Sequence, residues 1–199
     1  MRVVSIGDLV TDYYYRDDKL IGINGGMTSH NIIANLAKMG IETSVFGCCG
    51  DDCQGKLAIN SLEKLNADIS NIKIINNIRT RCFHVSYYND NGRLSFTSKK
   101  RCPFCHNKKW YEESLIDTNF VMSSLKSDDI LVFDNLNEKN QQIIDNTNNK
   151  KIIDLGQYFE FEQMENNEII KKISKKFEII NFNERVTKYL LNRMNLTTE

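Results

Sequence analysis

"NGGMTSHNIIANLAKMG", residues 24–40, sets paired glycines and a short polar cluster directly before a helical repeat. Ile32, Ile33, Leu36, Ala37 and Met39 recur at helical spacing over 31–39. Thr28 or Ser29 is placed to cap that helix, and Gly40 to end it. A junction of this kind holds the backbone close to a ligand, or it is only a turn followed by a cap. Spacing alone leaves both readings open.

Working outward, "VVSIG" (3–7) is a short apolar strand ending at Gly7, and "TSVFGCC" (43–49) is the next strand. "GKLAINSLEKLNA" (55–67) carries Leu57, Ile59, Leu62 and Leu65 as an amphipathic helix. Further on, "DILVFD" (129–134), "KIIDLG" (151–156) and "FEIINF" (177–182) read as strands. Helices are expected over 138–147, 168–177 and 184–193. The alternation predicts an α/β fold with a parallel sheet. Residues 82–97 break the pattern. Two β-rich runs flank "NDNG", and Asn91-Gly92 is a tight-turn signal, so a hairpin or small second sheet is expected there.

The chain has 199 residues, 41% of them hydrophobic, with 26 basic and 26 acidic side chains that cancel. A neutral chain gives no global reason to expect nucleic acid or an anionic membrane as partner. The basic run "KKRCPFCHNKKWY" (99–111) is too short to change that expectation. No apolar run approaches the roughly 20 residues of a membrane helix. "MRVVSIGDLV" turns polar too soon for a signal peptide, which makes the cytoplasm the default expectation. The six cysteines then read as thiols or metal ligands rather than a disulfide framework.

Three clusters are candidates for chemistry. Asp8 and Asp12 follow the first strand, Gly25 and Gly26 precede a helix, and Asn31 lies in its first turns. A polyhydroxylated ligand exchanges hydrogen bonds among Asp12, Gly26 and Asn31; capping and tight turns are the alternative. "GCCGDDCQGK" (47–56) brackets Asp51 and Asp52 between Gly50 and Gly55. Two carboxylates argue against a phosphate cradle and leave helix capping, loop fixing or contact with a cation. The chain has neither a GxxxxGK[ST] loop nor a GxGxxG pattern. Cys102 and Cys105 form a CxxC pair followed by His106. The pair supplies half of a structural Zn2+ site, to be completed by Cys82 or by a second copy's pair; a reduced, metal-free loop is the other reading.

"VVSIGDLVTD", "GMTSHNIIANLAKMG" and "GCCGDDCQGKLAINSLEKLNADI", followed by the hairpin, resemble in order and separation the N-terminal part of the ribokinase-like, or PfkB, carbohydrate kinases. The resemblance extends more weakly to "INFNERVTKYLL". It implies a three-layer sheet-and-helix domain over 1–199 with its C-terminal portion missing. It also implies a small β lid over 79–111, carrying the CxxC insert, that mediates dimerisation. The implied activity is ATP- and Mg2+-dependent phosphorylation of a sugar or nucleoside hydroxyl. On this resemblance Asp12, Gly26 and Asn31 face the substrate, and Gly50, Asp51, Asp52 and Gly55 match the second recurrent motif. Asn183 and Glu184 resemble the start of a segment on the nucleotide and magnesium side.

The departures are Val10 in place of a frequent asparagine, Met27 in place of a frequent glycine, and Val186 in place of a frequent acidic residue. The GAGD-type segment that supplies the family's catalytic aspartate has no match, and no other Asp takes its role. Phosphoryl transfer needs an aligned hydroxyl, a proton acceptor and stabilisation of developing charge. The expectation is therefore little or no kinase activity in the 199-residue chain. A noncatalytic sugar-binding or metal-assisted assembly role is the alternative.

Overall fold

The computed structural model describes residues 1–87, 94–98, 114–155 and 173–193. Its strands are β1 (Val3–Ile6), β2 (Val10–Arg16), β3 (Lys19–Gly26), β4 (Thr43–Gly50) and β5 (Ile72–Ile75). They continue as β6 (Arg81–Tyr87), β7 (Leu94–Ser98), β8 (Ile130–Phe133), β9 (Lys150–Leu155) and β10 (Ile179–Phe182). The helices are α1 (Thr28–Lys38), α2 (Cys53–Glu63), α3 (Thr118–Ser124), α4 (Glu138–Asn146) and α5 (Glu184–Arg193).

Short runs such as "VVSI" and "ILVF" are apolar on both faces because both faces of the main sheet are covered. The sheet has the order β10-β9-β8-β1-β4-β5, and every pairing in it is parallel. Alternate side chains point to opposite layers. Val4, Ile6, Phe46, Leu131, Phe133 and Ile153 pack with Val121 of α3, Ile143 and Ile144 of α4 and Val186 of α5. Val3, Val45 and Val132 pack with Ile33 of α1 and with Ala58 and Leu62 of α2 on the other side. Each fully buried Ile, Leu or Phe contributes about 1.5–3 kcal/mol, so these two cores hold the three layers together. In α2 the buried face is Gln54, Gly55, Ala58 and Leu62. Leu57, expected on that face, is 39% exposed.

A second sheet has the order β3-β2-β6-β7. β2 pairs antiparallel with β3 and parallel with β6, and β6 pairs antiparallel with β7 as the tight-turn signal implied. Asp17 and Asp18 both have positive φ at the β2–β3 turn, as a two-residue hairpin turn of the primed type requires. The structure refines one reading of this region and corrects another. Asp12 follows the first strand as expected and stands within the next one, whereas Gly25 and Gly26 end β3 rather than forming a free turn. The cap of α1 is corrected as well: its N-cap is Met27, with no side-chain hydrogen bond. At the other end Gly40 (φ 80°) donates to Ala37 O at 2.9 Å and Ile41 N to Leu36 O at 3.0 Å. That is a Schellman ending, with glycine in the left-handed position.

Candidate functional site

The strand order reverses at β1. The chain runs from β1 to β4 and β5 on one side, then crosses to β8, β9 and β10 on the other. Open parallel sheets bind ligands beyond the carboxyl ends of strands at such a reversal. Ile6 pairs with Phe133, so Gly7-Asp8 and Asp134-Asn135 emerge side by side there. Asp8 Oδ1 accepts from the Cys48 thiol at 2.8 Å and from Ser114 Oγ at 3.2 Å. Burial pushes the Asp8 carboxyl above its ordinary value, against those hydrogen bonds. Asp134 is 5% exposed and accepts from Asn135 Nδ2 at 2.7 Å.

From this crest the chain passes directly into β2, which carries Asp12 two residues into the second sheet. Asp12 is 7% exposed. It pairs with Asn24 across the sheet, and its diagonal neighbour there, Gly26, is glycine for a steric reason. A Cβ on Gly26 would stand 2.1 Å from Asp12 Cγ, so only a bare Cα lets the carboxylate lie there. The carboxylate has one hydrogen bond among the described residues, from Tyr14 Oη to Oδ2 at 3.3 Å. Burial pushes its pKa from 3.8 up to about 6, with the Tyr14 hydrogen bond opposing. Such a shift in a group beside a sheet's carboxyl end marks a candidate functional carboxylate.

Gly25 makes a second close approach. A Cβ there would lie 2.2 Å from His30 Nε2. His30 Nε2 sits 2.9 Å from Ser61 Oγ, and that hydroxyl donates to Ala58 O at 2.7 Å. His30 therefore ties α2 to the end of β3, and burial lowers its pKa so that it stays neutral. Met27, next in the chain, has φ 72° and ψ 157°, a region that costs a side chain about 1–3 kcal/mol. Its carbonyl accepts from Asn31 N at 3.0 Å. Asn31 is exposed on the first turn of α1. Gly26 thus touches Asp12, and one residue further on Met27 is bonded to Asn31.

The second motif is structural. Asp52 is the N-cap of α2 and accepts from Gly55 N at 2.9 Å. It also accepts from Thr80 Oγ1 at 2.7 Å and Thr80 N at 3.0 Å, while Thr80 Oγ1 accepts from Gly50 N at 2.9 Å. A Cβ on Gly50 would meet Ile78 O at 2.0 Å, and one on Gly55 would meet Gly50 O at 2.3 Å. This staple pins α2 to the strand entering β6, as the capping reading has it. Asp51 is exposed, and its N–H donates to Ile75 O at 3.2 Å.

At the far side of the crest, Asn183 Oδ1 accepts from Val186 N at 2.8 Å and caps α5. Glu184 pairs with Lys188 at 2.6 Å, which lowers its pKa. Both side chains are engaged in local helix contacts. Among the described residues no group of three or more His, Cys, Asp or Glu gathers as a metal site. Cys102, Cys105 and His106, and with them the zinc expectation, lie outside the described residues.

No family model and no curated protein matches the chain. Solved structures do. An uncharacterized sugar kinase from Pyrococcus horikoshii matches with a TM-score of 0.71 and 18% identity, over 98% of this chain and 69% of that one. The fold is that of the ribokinase-like sugar kinases. The 2-dehydro-3-deoxygluconokinase of Thermotoga maritima gives a TM-score of 0.73 at 15% identity, over 100% of this chain and 63% of that one. The ribokinase of the same organism gives 0.67 at 19%, over 99% and 64%. The chain thus spans about two thirds of the length of the sugar kinases it matches.

Sequence reasoning reached Asp12 and Gly26, and the structure brings them into contact. It passed over Tyr14 and Asp134. The signal for Tyr14 is its spacing: two residues after Asp12 in a strand, it shares the carboxylate's face.

Proposed function

We propose that this chain carries the substrate-hydroxyl site of a sugar-kinase-type phosphotransferase, with Asp12 as the acceptor for a ligand hydroxyl. The reaction it serves is ATP-dependent phosphorylation of a sugar or nucleoside hydroxyl. ATP and Mg2+ are assigned to the remaining third of the fold, which the matched structures carry and these 199 residues do not span. The observation that carries the reading is the Asp12 carboxylate: buried, with no cation beside it among the described residues, and laid against a glycine at the edge of the topological reversal. A ligand O–H donating to it replaces the hydration it has lost. Gly26 lies against it, Asn31 follows on the first turn of α1, and the Asp52–Thr80 staple holds the second sheet to α2. A second reading, pairing of two copies through the second sheet, is favoured by Leu20, Ile21 and Ile23, which are 48%, 52% and 39% exposed on β3.

The test is a titration of the purified chain with ribose, fructose and adenosine, followed by NMR shifts in wild type and Asp12→Asn. At least one compound is expected to bind and to lose about tenfold or more in affinity in the variant. Binding unaffected by Asp12→Asn in every case sinks the proposal. The same preparation is expected to show no turnover with ATP and Mg2+.

A further inference from the structure

A cavity of about 370 Å³ opens beside α3 and the outer strand β5 of the main sheet, and none of its lining residues belongs to the second sheet. Phe46 and Cys48 of β4 pack in the core beneath α3. The parallel register pairs Cys48 with Lys73 of β5, so Lys73 stands on that same face. Val121 of α3 is buried, and Phe120 beside it reaches toward Phe46, with ring centroids 6.0 Å apart and planes inclined at 56°. Phe120 is nevertheless 48% exposed, so much of its ring is left to the cavity and to solvent.

The wall that carries Phe120 is fixed in place. Lys139 Nζ donates to Ile116 O at 2.8 Å and Thr118 Oγ1 to Gln142 Oε1 at 3.0 Å, which ties the start of α3 to α4. The cavity is therefore formed before any ligand arrives. Its volume lies within the roughly 300–1,000 Å³ that small-molecule pockets span.

The polar groups of the lining are committed, with one exception. Ser70 Oγ donates to Asp68 Oδ1 at 2.6 Å, and Asn71 Nδ2 to Ser44 Oγ at 3.2 Å. Asp117 Oδ1 accepts from Asn119 N and Phe120 N, both at 3.1 Å, as the N-cap of α3. Lys73 is exposed and has no hydrogen bond or ion pair among the described residues. A ligand thus meets apolar walls and one uncommitted cation. Asp117 sets a limit on its charge: a dianion such as a phosphate ester is repelled twice as strongly by that carboxylate as a monoanion is.

We infer that this cavity is a second ligand site, which takes a small aromatic monocarboxylate with its ring against Phe46 and Phe120 and its carboxylate on Lys73 Nζ. Burial of the ring supplies the attraction, and a charge-assisted hydrogen bond from the ammonium supplies the selection. The site stands apart from the reading of Asp12 as a hydroxyl acceptor.

The experiment titrates the whole chain with indole-3-acetate and with its uncharged counterpart indole-3-ethanol. Amide NMR shifts are followed in wild type, Lys73→Gln, Phe120→Ala and Asp12→Asn. Lys73 and Phe120 are both exposed, so neither substitution removes a core side chain. The acid is expected to bind saturably, with shifts on α3 and β5, and about tenfold more tightly than the alcohol. Lys73→Gln is expected to weaken the acid about tenfold and leave the alcohol unchanged. Phe120→Ala is expected to weaken both, and Asp12→Asn to change neither. Acid and alcohol binding alike, an acid affinity indifferent to Lys73→Gln or to Phe120→Ala, or no saturable shift overturns the inference and leaves the Asp12 site untouched. Binding that is lost in Asp12→Asn places the acid at the other site and overturns the inference as well.

Discussion

Both ends of the main sheet bury carboxylates, and they do so in opposite ways. At the amino ends of the strands Asp129 is held by Arg2 through Nε at 3.1 Å and Nη2 at 2.8 Å, with Lys126 N donating to it at 2.8 Å. Lys151 is similarly closed off, its ammonium donating to Thr147 O and Asn149 O at 2.7 and 2.9 Å. Beyond the carboxyl ends Asp8 and Asp12 receive hydrogen bonds from a thiol and hydroxyls, and burial raises both pKa values. A matched pair fixes structure. A desolvated carboxylate beside neutral donors destabilises the fold and keeps accepting capacity for something else.

Substitutions sharpen the contrast. The largest effect is expected from Asp129→Ala, which leaves the buried Arg2 guanidinium only its longer pairing with Asp68 at 3.7 Å; a loss of about 3 kcal/mol in a urea melt is predicted. Asp12→Asn is expected to act with the opposite sign. The folded-state pKa of Asp12, about 6, lies above its ordinary 3.8, so the native state holds the proton longer and this group's contribution is lost as pH rises from about 4 through 6. The rise corresponds to at most ~3 kcal/mol against the ionised form. The Asn variant should therefore be more stable than wild type at pH 7.5 and nearly equal to it at pH 4. A wild type as stable as the variant at both pH values breaks the comparison.

Smaller effects test the supports around the site. Asp52→Ala removes the α2 cap and both Thr80 contacts, and a loss of about 2 kcal/mol by denaturant titration is expected. Met27→Gly relieves a side chain at φ 72° and ψ 157°. A gain of about 1 kcal/mol is expected, read as a rise of about 2–4 °C in Tm. An unchanged Tm means the junction holds Met27 without strain.

The main sheet, its edge strand β5 apart, was legible because its physics is periodic. Apolar runs and helical repeats located β1, β4, β8, β9 and β10 with α1, α2, α4 and α5. The second sheet was half legible. β6 and β7 carry β-rich residues around a tight-turn signal, but β3 has an exposed outer strand whose two buried residues are Gly25 and Gly26. Those glycines read as a turn, while their work is to admit the His30 ring and the Asp12 carboxylate. α3 has seven residues and too short a repeat to register. Asp12 was visible through its motif.

The state of Asp12 decides whether this site takes a ligand hydroxyl, and one titration reads it. The carboxyl carbon of Asp12, followed by NMR in the intact chain with and without adenosine, gives its pKa directly. A value of about 6 is expected in the free protein and a lower one with adenosine bound, since a donated hydroxyl favours the ionised form. A value near 4 that adenosine leaves unmoved would contradict it.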